Sequence, residues 1–207
     1  FLKKLGCKIK WVGKRDIDII GIKKLKFTTH KVIFDRIEAG TYIIASALTN
    51  GKLKIKNIET KFMSAEINLL KKMGVKIIKK KNYIISSCSK KLNKIHITTK
   101  PYPGFPTDLQ AQIMVLMIKA AGISSIKESI FENRFMHVSE LRRMGANIEI
   151  KGKKAIVSGR TKLNGAELMA TDLRASVCLV LAGLVASNKT IVNRIYHLDR
   201  GYEKIET

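Results

Sequence analysis

Leu2-Lys-Lys-Leu-Gly6-Cys-Lys-Ile9, Leu70-Lys-Lys-Met-Gly74-Val-Lys-Ile77 and Leu141-Arg-Arg-Met-Gly145-Ala-Asn-Ile148 are three copies of one pattern: Leu, two basic residues, Leu or Met, Gly, two variable positions, Ile. A recurrence at near-constant spacing decides architecture before any single segment does. The glycines stand 68 and 71 residues apart. Each reads as the residue just past a helix end, where positive φ costs glycine little, after a last turn whose cations suit the helix dipole. Each copy is followed by a second apolar run (Ile17 to Gly21, Tyr83 to Ser86, Ala155 to Ser158) across a polar bend, which predicts β-hairpins.

Working outward, Asp35-Arg-Ile-Glu-Ala, Asp108-Leu-Gln-Ala-Gln and Asp172-Leu-Arg-Ala-Ser each open a segment that is apolar nearly all round. Such segments predict helices buried on every side, because they have no face to offer water. Each ends at Asn50-Gly51, Gly122 or Asn188 and is followed by a short strand (Leu53 to Ile58, Ser125 to Ile130, Thr190 to Ile195). A first strand precedes each Asp: Lys31 to Phe34, Lys94 to Thr98, Ala166 to Met169. The unit is βαβαββ. Residues 1–29 are then the tail of an earlier unit, and 31–93, 94–164 and 165–207 are successive units, the last stopping inside its second helix. With Phe1 in place of Met and no hairpin after Glu206, the expectation is a segment of a longer protein.

The 207 residues carry a formal charge of +24, yet 45% are apolar and mean hydropathy is −0.01, which fits a packed α/β chain. The longest apolar stretch, Val177 to Ala186, is far short of the roughly 20 residues of a membrane span. Residues 1–100 hold a basic surplus of 19 and residues 101–207 one of 5; Lys supplies 31 of the 40 cations. These lysines alternate with Ile and Val, as at 52–56 and 75–79, so they belong to the solvated faces of strands. Aromatics are only 6%, without the Arg and aromatic interleaving of a nucleic-acid reader. Nucleic acid is therefore not the expected partner, although a basic, non-catalytic remnant binding polyanions is the alternative reading. Cys7, Cys88 and Cys178 are odd in number and widely spaced, which fits a reducing cytoplasm better than a disulfide framework or a zinc site.

For chemistry, the three Asp read first as N-caps. Equivalent starts on three buried helices would also aim three positive dipole ends at one place, a setting for an anionic substrate. All three prolines lie in Pro101-Tyr-Pro-Gly-Phe-Pro106, just before Asp108, a stiff loop suited to positioning. Arg134, in Phe131-Glu-Asn-Arg-Phe-Met-His137, could clamp a phosphate or simply pair with Glu132. Arg174 sits in a first helical turn, where the dipole disfavours a cation, and Arg200 occupies the slot that Arg134 fills one unit earlier. His137 and His197 read as capped surface residues.

Asp35-Arg-Ile-Glu-Ala-Gly-Thr41, Tyr102-Pro-Gly-Phe-Pro-Thr-Asp-Leu-Gln-Ala-Gln112, Phe131-Glu-Asn-Arg-Phe-Met-His-Val138, Glu140-Leu-Arg-Arg-Met-Gly-Ala146, Met169-Ala-Thr-Asp-Leu-Arg-Ala-Ser176 and Arg194-Ile-Tyr-His-Leu-Asp-Arg-Gly-Tyr-Glu203 closely resemble the UDP-N-acetylglucosamine enolpyruvyl transferases. That family catalyses the first committed step of bacterial peptidoglycan synthesis. The sister family that makes enolpyruvylshikimate phosphate shares the repeat, but these strings look like the aminosugar enzymes. The resemblance implies an inside-out α/β barrel of two domains, residues 1–29 ending the first and 30–207 forming most of the second. It implies transfer of enolpyruvate from phosphoenolpyruvate to the sugar 3′-hydroxyl with loss of phosphate, and no cofactor or metal. By the same resemblance Asp108 is the hydroxyl's base, Ile130 (through its backbone), Phe131 and Arg134 face UDP-N-acetylglucosamine, and Asp172, Arg174 and Arg200 face phosphoenolpyruvate. The family's loop cysteine and its first-domain Lys and Arg have no match here. The implied partner is the N-terminal domain of the same protein, without which the chain is expected to be inactive.

Overall fold

Alternating Lys and Ile, two glycine-ended helices, a glycine-ended turn where a third was expected before Gly6, and three long apolar segments fold into a mixed α/β chain. The structure, a computed structural model, describes residues 1–14, 16–88 and 91–205; the side chains of Arg174, Ala175 and His197 also lie outside the description. Residues 1–33 and 34–207 are two compact units.

In the first unit, Gly6 (φ +101°) ends a turn and is followed by the hairpin β1 (Lys8–Val12) and β2 (Asp16–Ile20), antiparallel with Ile9 opposite Ile19. The second unit runs α1 (Arg36–Leu48), β3 (Lys52–Lys56), α2 (Ser64–Lys72), β4 (Val75–Lys79), β5 (Tyr83–Cys88), β6 (His96–Thr98), α3 (Gln110–Lys119), β7 (Ile123–Lys127), α4 (His137–Arg143), β8 (Ile148–Lys151), β9 (Lys154–Ser158), β10 (Glu167–Met169), α5 (Leu173–Gly183) and β11 (Ile191–Asn193). The sheet orders are β3-β5-β4, β6-β7-β9-β8 and β10-β11. β6 and β7 are parallel, as are β10 and β11; the hairpins β4–β5 and β8–β9 are antiparallel.

The predicted apolar helices are the centre. Ile43, Leu48, every residue from Ile113 to Ile118, Val177 and Cys178 have essentially no exposed surface. α3 packs on both α1 and α5, α1 lies against β3 and β5, and α3 lies against β7 and β9. Lysines at 52, 54 and 56 point outward from β3 while Leu53 and Ile55 turn in, the pleat separating charge from core.

The repeat is visible in hydrogen bonds. Asn93 N–H donates to Met73 O and Asn164 N–H to Met144 O; Ala121 N–H donates to Leu92 O and Ser187 N–H to Leu163 O. Gly74 (φ +99°) and Gly145 (φ +94°) donate back to Lys71 O and Arg142 O, closing the helix ends as expected. Arg142, a last-turn cation of α4, donates through Nε to Ile148 O at 2.9 Å and so ties helix to hairpin.

Two expectations are corrected. Lys31 to Phe34 forms no strand, which leaves β3 an edge that its alternating lysines protect from further pairing. The expected second helix of the last repeat is a short 3-10 turn, Ile195–His197, followed by turns; Leu198 and Tyr202 anchor this segment by packing with Val177. Among the described residues the strands make separate sheets, and the single-residue bridges Asn93–Ala121 and Asn164–Ser187 join successive repeats.

Gly145→Ala places a Cβ on a left-handed residue and is expected to cost about 1–2 kcal/mol in denaturant unfolding. Gly21→Ala, at a position with open space around it, is expected to change stability by less than about 0.5 kcal/mol.

Candidate functional site

The Pro101–Pro106 loop is pinned at several points. Lys100 N–H donates to Phe105 O and Gly104 N–H to Pro101 O, and Phe105 is buried. A Cβ on Gly104 would lie 2.4 Å from Lys100 Cβ, so the turn closes only around glycine. Tyr102 carries the Arg36 guanidinium over its ring at 5.1 Å, and Arg36 also pairs with the buried Glu66. The loop delivers Asp108 into a 3-10 turn, Thr107–Leu109. Asp108 is thus not the N-cap of α3, a position that falls to Leu109. Its Oδ1 instead accepts from Arg134 Nη2 at 2.9 Å, and the Arg134 guanidinium lies 5.0 Å from the Phe131 ring centre. Glu132, the alternative partner for Arg134, pairs with Lys153 at 3.4 Å.

A cavity of about 620 Å³ gathers Asp108, Phe131, Arg134, Asp172 and Arg200, with Glu132 and Leu173 also in its wall. Five of the seven sequence-predicted residues therefore meet. Asp172 stands at the start of α5, its carbonyl accepting the first helical bond from Ser176 N–H at 2.9 Å. Arg200 is held there because Gly201 lets the chain press on Leu173: a Cβ on Gly201 would lie 2.7 Å from Leu173 Cδ1. Ile130 is half-exposed beside the cavity without lining it, and the Arg174 side chain lies outside the described residues, as does that of His197.

The starts of α3 and α5 share this cavity, but that of α1 does not. Asp35 caps its own helix, accepting from Ile37 N–H at 2.7 Å and Glu38 N–H at 3.2 Å, and lines a separate hollow of about 260 Å³. Tyr202 hydroxyl meets Thr41 Oγ1 at 2.9 Å, so the last described segment comes to the first turns of α1. Burial, with Asp35 and Glu203 nearby, pushes the Glu38 carboxyl up.

Sequence reasoning missed Glu128 and misplaced His137. Glu128 is 1% exposed and accepts from Thr99 and Thr107 hydroxyls and Ile130 and Phe131 N–H. Burial pushes its pKa up, but these hydrogen bonds outweigh burial and hold it below the ordinary value. A lone Glu ending a strand carries no signal of this, since its partners come from three separated segments. His137 is 2% exposed rather than on the surface, and its Nε2 is buried without a hydrogen-bond partner. Burial lowers its pKa to about 4, the nearby Asp172 charge raising it and that of Arg134 lowering it further. Burial likewise pushes the Cys178 thiol far up, so it is no nucleophile. Among the described residues no three His, Cys, Asp or Glu cluster as metal ligands, and no helix is long and apolar enough to cross a membrane.

The family model for EPSP synthase (3-phosphoshikimate 1-carboxyvinyltransferase) matches residues 1–207. The chain belongs to that family. Within it, the chain is 61% identical over 206 residues to the UDP-N-acetylglucosamine 1-carboxyvinyltransferase of Pelagibacter ubique, covering 100% of this chain and 49% of that protein. It is 53% identical to the enzyme of the same name from Geotalea uraniireducens, covering 99% and 49%. Among solved structures, the enolpyruvyl transferase NikO from Streptomyces tendae superposes with a TM-score of 0.86 at 29% identity, covering 97% of this chain and 48% of that one. An EPSP synthase from Acinetobacter baumannii shares the fold at a TM-score of 0.71 and 20% identity, covering 93% and 48%. The mixed α/β fold is thus that of half an enolpyruvyl transferase, and the chain spans about half the length of the relatives it matches.

Between pH about 6.5 and about 4 the unfolded chain binds a proton at His137 that the folded chain refuses, so stability is expected to fall as pH drops through that window, by about 1.4 kcal/mol per unit. His137→Phe is expected to flatten this dependence, measured by denaturant midpoints across it. The Glu128 contribution, whose pKa is lowered, is present above about 4.5 and is lost as pH falls from there toward its lowered folded value.

Proposed function

We propose that the protein containing this chain transfers enolpyruvate from phosphoenolpyruvate to the 3′-hydroxyl of UDP-N-acetylglucosamine, releasing phosphate, the reaction that starts peptidoglycan synthesis in the cytoplasm. One observation carries the reading: Asp108, Arg134, Asp172 and Arg200 line one cavity in a chain 61% identical to a UDP-N-acetylglucosamine 1-carboxyvinyltransferase. In the whole protein, residues 1–29 complete a first inside-out barrel domain and 30–207 supply most of a second. The missing N-terminal domain is the chain's partner in the site.

The chemistry follows from the charges. A sugar hydroxyl is a poor nucleophile near neutral pH, and Asp108 takes its proton as oxygen attacks C2 of phosphoenolpyruvate. Addition places a proton on C3; elimination removes one and breaks the bond from C2 to the phosphate oxygen, so inorganic phosphate leaves and an enol ether remains. Arg200, in the same cavity wall as Asp172, takes the phosphoenolpyruvate end, where a fixed cation stabilises carboxylate and phosphate charge as it redistributes; the same role is assigned to Arg174, whose side chain lies outside the described residues. Arg134 and Phe131 take the nucleotide-sugar end, with Ile130 contributing backbone. The pairing of Arg134 with Asp108 joins the two halves of that end.

Phosphate release from the two substrates is expected from the chain joined to its flanking sequence and not from residues 1–207 alone. Asp108→Ala in the joined protein is expected to lower kcat by about 10²–10⁴-fold. A folded, silent joined protein would move the basic, polyanion-binding reading to the front, which a steep loss of nucleic-acid binding with salt would support.

A further inference from the structure

We propose that Glu128 is a positioning residue for this reaction, holding the base Asp108 and the sugar-facing turn at Ile130 and Phe131 in one geometry through a single carboxylate; the proposal rests on the transferase reading above. Glu128 follows the last residue of β7, with its N–H donating to Lys153 O at 2.8 Å. Oε1 accepts from Ile130 N–H at 2.8 Å, Phe131 N–H at 3.3 Å and Thr99 Oγ1 at 2.8 Å, while Oε2 accepts from Thr107 Oγ1 at 2.8 Å.

Those four donors come from three segments: the end of β6, the proline-rich loop, and the turn leading toward α4. Thr99 is itself locked, because Ser129 N–H donates to its hydroxyl at 2.9 Å and its own N–H donates to Lys127 O at 2.9 Å. Thr107 is the residue before Asp108, so the Oε2 bond fixes the backbone that carries the base. The Oε1 bonds fix the backbone of Ile130 and of Phe131, whose ring meets the guanidinium that holds Asp108. Both routes therefore converge on the pairing of Asp108 with Arg134. Hydrogen bonds to an ionised acceptor are short and strong, and the lowered pKa of Glu128 keeps the acceptor ionised near neutral pH.

A fastener of the fold and a positioning residue predict different kinetics. In the full-length protein, Glu128→Ala is expected to lower kcat by about 10²-fold, the scale of a displacement near 1 Å at a reacting group. It should also raise the KM for UDP-N-acetylglucosamine by about tenfold while leaving the KM for phosphoenolpyruvate unchanged, since both sugar-side arms are released. Glu128→Gln is expected to rescue most of both losses: its oxygen can still accept at the Oε1 position, and its amide can donate to Thr107, whose hydroxyl becomes the acceptor. Thr107→Val cuts only the Asp108 arm and should lower kcat with little change in either KM. A Glu128→Ala protein whose kcat loss merely matches its loss of folded fraction, with both KM values unchanged, overturns the proposal. So does a Gln variant as impaired as Ala. If the Ala variant does not fold, an unaltered kcat in Thr107→Val overturns it. No phosphate release by the unsubstituted full-length protein would instead overturn the transferase reading itself.

Discussion

Helices α1, α3 and α5 have no polar face, and enclosing them is the constraint from which the rest of the second unit follows. A helix that is apolar all round must be covered on all sides, and its neighbours here are other helices and the inner faces of sheets. Each strand then needs only one apolar face, so its outer face is free to carry lysine. That is how a chain with a formal charge of +24 folds without burying the excess: the cations at 52, 54, 56, 76 and 79 sit on exposed positions of β3 and β4. The same enclosure leaves the helix ends as the places where buried backbone polar groups must find partners. Two of the three starts open onto the cavity that holds Asp108 and Asp172.

The two helix starts at the cavity and the one outside it separate positions that look alike in sequence. Asp35, Asp108 and Asp172 all stand before an apolar run, yet Asp35 satisfies N–H groups of its own helix while Asp108 lies inside a 3-10 turn, one residue before the N-cap of α3, and pairs with Arg134. The proline-rich loop makes the difference. Its three prolines and the close approach at Gly104 fix how the chain enters α3, whereas α1 follows a segment without strand structure. A carboxylate already used by its cap has little to offer a substrate; one held by a guanidinium at a cavity wall can exchange that partner for a ligand.

What was legible in the sequence follows from how local each signal is. The glycines at 6, 74 and 145 marked positive φ because that requirement is met within a few residues, and the hairpins after them followed by period-two alternation. Lys31 to Phe34 carried the same β-branched signal and formed no strand, because that signal is local while a ladder depends on a partner elsewhere in the chain. Asp108, Phe131, Arg134, Asp172 and Arg200 were readable as a group only through long strings shared with a known family; no spacing rule joins residues 92 positions apart. Glu128 and His137 were not readable at all. Their burial is set by α4, α5 and the loop packing together, a tertiary outcome that no window of sequence contains.

Charge balance in the cavity shows why carboxylates and guanidiniums are interleaved there rather than segregated. Lone arginines would bind anions tightly before and after reaction alike, which lowers KM without raising kcat. Setting Asp108 against Arg134, and Asp172 in the same wall as Arg200, makes each cation's attraction for a ligand compete with a fixed anion. Net attraction then depends on where ligand charge sits, so such a cavity discriminates among ligands by the placement of their charge. The surface lysines cannot do this, being exposed to a solvent that screens them within about 8–10 Å. The large basic surplus and the nearly neutral cavity are therefore separate features of the chain, one a consequence of its strand faces and the other of its site.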